Sequence, residues 1–259
     1  MHDKFLRNLP DHVDVSLSNV SVHYRMPSDQ VRTFKEHAIN FLRGKREKKT
    51  LLALDDIDLE INRGEIFGIL GKNGAGKSTL LKVISRVLIP SEGRVIIRGM
   101  ISPMLSLGAG FHPELTGREN IYLNGTLLGH SHLEIDQKFD EIVKFSEIPS
   151  FIDSPIRTYS SGMQARLGFA VASAWPPEIL VLDEVLSVGD IAFQQKCINR
   201  IKSYREREIN TIILVTHRPE QVASICTRAM WLDLGKIKAI GDPNKISEQY
   251  IDWMNTLVK

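Results

Sequence analysis

The chain has 259 residues, 42% of them hydrophobic, which is enough to bury a sizeable core and lies near the upper size for one domain. A formal net charge of +2 at pH 7 excludes a nucleic-acid binder that works through a strongly basic overall field, so only local patches could carry such a role. The two cysteines, Cys197 and Cys226, make no disulfide framework, the charge-mixed start "MHDKFLRNLPDHVDV" does not read as a signal peptide, and no apolar run approaches the ~20 residues that span a bilayer. The expectation is a cytosolic protein able to rest against a membrane.

In chain order, residues 14–24, "DVSLSNVSVHY", alternate polar and apolar like a strand with one wet face. A turn at "RMPSDQ" follows. In "VRTFKEHAINFLRGKREKKT", Val31, Phe34, Ala38, Phe41 and Leu42 fall at helical spacing ahead of a basic run. Two readings stand for this segment: a solvated excursion pinned to the core by its apolar stripe, or an amphipathic helix lying on an anionic membrane surface or a membrane partner. From residue 51 the pattern tightens. "LLALDDIDLEI" alternates, "GEIFGIL" is a compact buried strand, a glycine-rich turn leads into the helix "STLLKVISRVL", and "GRVIIRG" is a further strand.

Residues 117–175 read mainly as helices, in "RENIYLNGTLLG", "HLEIDQKFDEIVKFSEI" and "MQARLGFAVASAW"; Thr116 and Glu119 form a capping-box pattern that opens the block. The α/β rhythm then returns with "EILVLDE" and "TIILVTH", apolar runs suited to strands buried on both faces. This order predicts an α/β fold with a mainly parallel core and an inserted helical subdomain. Residues 14–116 and 176–259 form the core, 117–175 the helical subdomain, and 25–50 a basic amphipathic insertion.

The strongest chemical signal is "GKNGAGKS", Gly71 to Ser78, which matches the P-loop pattern and sits between a strand and a helix, as that motif requires. Gly71, Gly74 and Gly76 let the backbone N–H groups of Lys72, Asn73 and Ala75 wrap a phosphate chain without Cβ clashes, at the positive end of a helix dipole. Lys77 should reach the β- and γ-phosphates of ATP as a point charge, Ser78 should ligate Mg²⁺, and Thr79 should add a phosphate hydrogen bond. A second constellation fits the first. "EILVLDE" ends a strand in Asp183, placed to hold Mg²⁺ through its water shell, and Glu184, placed to polarise the attacking water. The next strand delivers His217 as a γ-phosphate sensor.

These residues, together with "YSSGMQ", resemble the nucleotide-binding subunit of an ABC transporter over essentially the whole chain, which implies an α/β P-loop NTPase core with a mainly parallel sheet, an antiparallel β subdomain and an inserted helical subdomain. The family's L-S-G-G-Q signature corresponds to Ser160, Ser161, Gly162, Met163 and Gln164. The resemblance implies that this segment grips the γ-phosphate of an ATP held by the other subunit, in a head-to-tail homodimer that sandwiches two ATP molecules. It further implies that Tyr24 stacks on adenine, and that Ser187 and Asp190 of "SVGD" lie at the dimer interface. "GKIKAIGDPNKISEQYI" is similar to the family's closing strand pair and terminal helix.

One stretch departs from the family. Near "SLGAGFHPELTG" the family usually has a glutamine that contacts Mg²⁺ and links the site to the transmembrane partner, yet no Gln occurs between Gly99 and Asn120. Alignment puts Leu107 or Gly108 there. His112 has no ligand partner at clear spacing beyond Glu114 and reads as a surface histidine, so the stretch reads as a permease-coupling loop that includes Leu107, Gly108, Phe111 and His112. "LGAGFHPELTGREN", "YSSGM", "DEVLSVGD" and the basic insertion are together similar to the ATPases of bacterial polysaccharide exporters. That implies a subunit on the cytoplasmic face of the cytoplasmic membrane, paired with a membrane permease, whose transported substrate is a lipid-linked O-antigen, capsular polysaccharide or teichoic acid. Some such ATPases add a C-terminal carbohydrate-binding domain, which is not expected in a chain ending soon after "YIDWMNTLVK". The alternative is a soluble ABC-type ATPase acting on ribosomes or DNA. It is disfavoured by the single cassette and by the lack of a coiled-coil insertion, so no nucleic-acid partner is expected.

Overall fold

The computed structural model describes residues 9–25, 50–104, 110–175, 177–183, 189–205 and 210–257. In chain order its elements are β1 (Val13–Arg25), β2 (Thr50–Asn62), β3 (Ile66–Leu70), α1 (Lys77–Ile84), β4 (Glu92–Ile97), β5 (Ile101–Met104), α2 (Gly117–Leu127), α3 (His132–Ser146), α4 (Ser161–Ala172), β6 (Ile179–Asp183), α5 (Ile191–Arg205), β7 (Thr211–Thr216), α6 (Pro219–Ile225), β8 (Arg228–Asp233), β9 (Lys236–Gly241) and α7 (Pro243–Leu257).

Alternation and continuous apolarity separate the strands into two sheets. The half-polar runs form an antiparallel three-stranded sheet in the order β2-β1-β4. Asn19 takes a left-handed φ of 49° where the β1–β2 register shifts, a conformation that Asn tolerates better than most residues. The apolar runs form a six-stranded sheet in the order β5-β6-β7-β3-β8-β9, parallel except for β9. The fold is therefore α/β with a mainly parallel sheet, as the sequence pattern predicts.

Strand pleating divides the six-stranded sheet between two cores. Ile66, Leu180, Leu182, Ile212 and Leu214 join the core of the helical layer with Ile121, Ile135, Leu167, Phe169 and Phe193. Phe67, Ile69, Val181, Ile213 and Val215 face the other way and pack with β1, β2 and α1 through Leu17, Leu54, Ile57, Leu80 and Leu81. Each such side chain contributes ~1.5–3 kcal/mol on full burial. The sheet is thus held from both faces, which fixes its edge in space.

Capping defines the helical layer. Thr116 and Glu119 form a reciprocal box at the start of α2, and Ser131 and Glu134 repeat it at α3. Ion pairs then lace the helices together: Arg166 and Lys196 converge on Glu147, and Arg200 and Lys138 on Glu141.

Two local features differ from the sequence pattern. Ile101–Met104 forms a fourth parallel pairing, β5 on β6, although it contains Pro103; the strand lies at the sheet edge, where a missing N–H is tolerated. The closing strand pair is β8 with β9, so its first member lies upstream of the "GKIKAIG" run, across a turn at Leu234 and Gly235. The basic insertion from residue 26 to 49 lies outside the described residues. Among the described residues, no helix is long and apolar enough to cross a membrane.

Candidate nucleotide-binding site

Strand register builds the site. Asp183 of β6 pairs with Val215 of β7, and Val215 pairs with Ile69 of β3. Thr216 pairs with Leu70, so His217, one residue further, stands level with Gly71. The C-terminal ends of three adjacent parallel strands therefore present Gly71, Asp183 and His217 along one edge, the place where open α/β sheets bind ligands.

The loop leaving β3 is shaped by glycines for separate reasons. A Cβ at Gly71 would lie 2.4 Å from the Leu232 carbonyl oxygen, so no side chain fits there. Gly76 has a φ of +106° and caps the N-terminus of α1, and a Cβ there would lie 2.7 Å from the Ala53 carbonyl oxygen. Gly74, at φ +81°, faces open space. Within the loop, Ala75 N–H donates to Lys72 O at 3.1 Å. Lys77 is only 7% exposed, and its Nζ donates to Gly71 O at 2.7 Å and Lys72 O at 3.0 Å. The ammonium is therefore held over the loop at the mouth of α1.

These residues border a cleft of about 640 Å³, lined by Asn73, Gly74, Gly76, Lys77, Ser78, Thr79, Asp183 and Tyr24. Tyr24 is half-buried in the lining, and Ser78 is exposed at the first turn of α1. Glycine-rich loop backbone and an aromatic ring in one cleft suit a nucleotide. The remaining wall comes from Leu51, Leu52 and Ala53 of β2 and from Leu234 and Gly235. Sequence reasoning missed these five. The one available signal was the Leu234–Gly235 turn, whose residues both take positive φ (48° and 76°), but that pair is a weaker hairpin cue than Asn-Gly or Asp-Gly.

Ser78 and Asp183 share the cleft wall, and among the described residues no three His, Cys, Asp or Glu side chains gather to hold a metal by themselves. A hydroxyl and one carboxylate fit magnesium, which binds through one or two protein oxygens plus substrate phosphates. Glu184 and Ser187 lie outside the described residues, as do Leu107 and Gly108. His217 is exposed and lines a neighbouring pocket of about 330 Å³ together with Lys72, Asn73 and Tyr250.

The "YSSGMQ" segment lies elsewhere. Ser160 caps α4, its Oγ accepting from Met163 N–H at 3.2 Å, while Ser161 is exposed at the helix N-terminus. Met163 packs on the helical core, and Gln164 turns its amide toward the Ile156 and Tyr159 carbonyls at 3.4 Å each. Among the described residues a Cβ on Gly162 would meet nothing nearer than Ser160 Oγ at 3.8 Å. Ser160, Gly162, Met163 and Asp190 line a cleft of about 570 Å³ that shares no residue with the P-loop cleft. Asp190 accepts from Phe193 N–H at 2.9 Å and from Arg166 Nη2 at 2.6 Å, and these contacts, the Phe193 amide first, hold its carboxyl below the usual range. In the 106–117 stretch, Phe111 packs on the helical core and His112 is exposed, with its Nδ1 accepting Glu114 N–H at 3.3 Å.

The profile of the ABC transporter family matches residues 54–187, about half of the chain. An O-antigen export system ATP-binding protein, RfbB, of Klebsiella pneumoniae is 46% identical over 215 residues, covering 83% of this chain and 85% of that protein. A protein of the same name from Myxococcus xanthus is 43% identical over 248 residues, 93% of this chain and 56% of that one. Among solved structures, a bacterial ABC transporter cassette described as dimeric is 25% identical, covering 88% of this chain and 98% of that one, with a TM-score of 0.71. The chain belongs to the ABC transporter family, as an ATP-hydrolysing subunit.

Proposed function

We propose that the chain powers an exporter that moves a lipid-linked polysaccharide, of O-antigen, capsule or teichoic acid type, across the bacterial cytoplasmic membrane, working as a homodimer beneath a membrane permease. The register that brings the P-loop, Asp183 and His217 to one sheet edge carries the ATPase reading. The names of the 43–46% identical relatives support the cargo class.

In this reading the backbone N–H groups of the Gly71–Ser78 loop and the Lys77 ammonium bind and orient the phosphates, and Tyr24 stacks on the base. Ser78 and Asp183 are the residues that would hold magnesium, which would supply positive charge to neutralise the charge developing on the phosphates. Glu184 orients the water for in-line attack and His217 contacts the γ-phosphate. Ser161 and Gly162 of a second copy complete the site from the far side. Their own cleft is separate from the P-loop cleft of the same chain, which supports completion in trans. Loss of the γ-phosphate removes the contacts that hold the dimer shut, and the segment around Phe111 and His112 passes that change to the permease.

The test is ATP-dependent movement of lipid-linked glycan into inverted membrane vesicles that hold this chain and its permease. Transport that stops on Lys77→Ala supports the proposal. Turnover stimulated by ribosomes or DNA, with no membrane partner, would replace it with the soluble-ATPase alternative.

A further inference from the structure

The P-loop motif assigns no role to the side chain of Lys72, yet the structure fastens that side chain to the C-terminal end of the chain. Lys72 Nζ lies 3.5 Å from Asp233 Oδ1 and 4.8 Å above the ring of Trp253. Asp233, the last residue of β8, is 5% exposed, and its Oδ1 has no hydrogen-bond partner among the described residues. The Lys72 ammonium is thus the charge beside a buried carboxylate oxygen that would otherwise be costly to bury. Trp253, on α7, packs in turn against Trp231 and Tyr250, with ring centroids 5.0 and 5.9 Å away.

The main chain of the same residue is tied to the loop interior. Lys72 O accepts from both Ala75 N–H and Lys77 Nζ. The β8–β9 turn adds a second tie, as Gly235 N–H donates to Ala75 O at 2.9 Å. Any phosphate that draws Lys77 toward itself competes with the Gly71 and Lys72 carbonyls. The loop then keeps its shape through the anchors that do not involve Lys77.

We infer that Asp233 and Trp253 are positioning residues for nucleotide binding: they clamp the Lys72 side chain and so preorganise the P-loop from the C-terminal hairpin and helix. The inference rests on the nucleotide-binding reading of the P-loop. Holding the loop in its binding shape before the ligand arrives removes an ordering cost from the binding step, so losing the clamp weakens affinity without deleting any phosphate contact. The same geometry makes Trp253 a reporter, because its ring lies against a residue of the loop and senses the change in local field when the loop engages phosphate.

The experiment titrates the full chain with MgATP, reading calorimetry and intrinsic fluorescence. Wild-type binding comes first, since its absence would overturn the nucleotide-binding reading itself and not the clamp alone. Given that binding, Asp233→Asn and Trp253→Leu are each expected to weaken affinity about threefold to tenfold. Trp253→Phe, which keeps an aromatic face, stays within about twofold but loses most of the fluorescence response, since Trp253 is one of only three tryptophans. In a Lys72→Met background, Trp253→Leu adds no further loss. Unchanged affinity in both single variants, an undiminished fluorescence response in Trp253→Phe, or a full additional loss in the Lys72→Met background would each overturn the clamp. So would an affinity loss that simply follows a fall in melting temperature.

Discussion

Gly162→Ala separates the two roles a glycine can have. Gly162 is the second residue of α4, and its φ is not positive, so alanine can take its conformation without strain. Among the described residues the added Cβ meets only Ser160 Oγ, at 3.8 Å, an ordinary van der Waals distance. Replacing glycine by alanine in a helix stabilises it by up to about 1 kcal/mol, and less in the first turn. For a chain of this size that converts to a rise in melting temperature of at most about 2–4 °C. Nothing among the described residues therefore accounts for glycine at 162. If it serves a phosphate held by a second copy, the methyl group blocks close approach to the α4 N-terminus, and turnover should fall by the factor of about 10²–10³ that losing one donor of a preorganised anion site costs.

Differential scanning fluorimetry, calorimetric titration with MgATP and steady-state phosphate release read the three quantities separately. Melting temperature should hold or rise, MgATP affinity of the dilute protein should not change, and turnover should collapse. Gly71→Ala is the contrast, because its Cβ would lie 2.4 Å from the Leu232 backbone oxygen and must displace the loop or β8. Stability and affinity should fall together there. A Gly162→Ala protein with wild-type turnover, or one that melts several degrees lower, would refute the reasoning.

Three further outcomes follow from the site and its surroundings. Lys77→Ala removes a charge-assisted contact of ~1.5–3 kcal/mol, so calorimetry should show MgATP affinity falling at least about tenfold. Glu184→Gln should retain ATP binding and lengthen the life of the dimer in size-exclusion chromatography with ATP, while turnover drops about 10²- to 10⁴-fold; wild-type turnover would remove Glu184 from its role. Burial pushes the Cys197 and Cys226 thiols up to about 12, so at about pH 8 the folded protein should resist a disulfide-exchange reagent that reacts with both thiols in denaturant. Because these thiols ionise more readily when unfolded, their contribution to stability is complete below about pH 9 and is lost as pH rises toward about 12, which urea melts across that interval would read.

Legibility followed the distance over which each feature is encoded. The P-loop, Asp183 and His217 stand at the ends of short apolar runs, and sequence spacing alone places them at strand ends. The wall made by Leu51 to Ala53 and Leu234 to Gly235 does not read out, because the two segments lie far apart in the chain and meet only on folding, where Gly235 sits against the Ala53 backbone and its carbonyl accepts from Asp55 N–H at 2.9 Å. The strand at Ile101–Met104 escaped because it is four residues long and holds a proline that its edge position excuses. The helix after the P-loop stops at Ile84, short of its apolar run, because Arg86 takes a left-handed φ of 58°.

The same limit applies to residue roles. In the sequence, Gly71 and Gly162 are two glycines in two phosphate motifs, and nothing in the spelling separates them. In the structure one is demanded by the chain's own backbone and the other by nothing among the described residues. Likewise the second letter of "GKNGAGKS" is free in the motif, yet here it is a lysine lying against a buried carboxylate and an indole from residues more than 150 positions away. A local pattern specifies the groups that meet the phosphate. What holds those groups still, and what approaches them from outside, is a property of the folded surface.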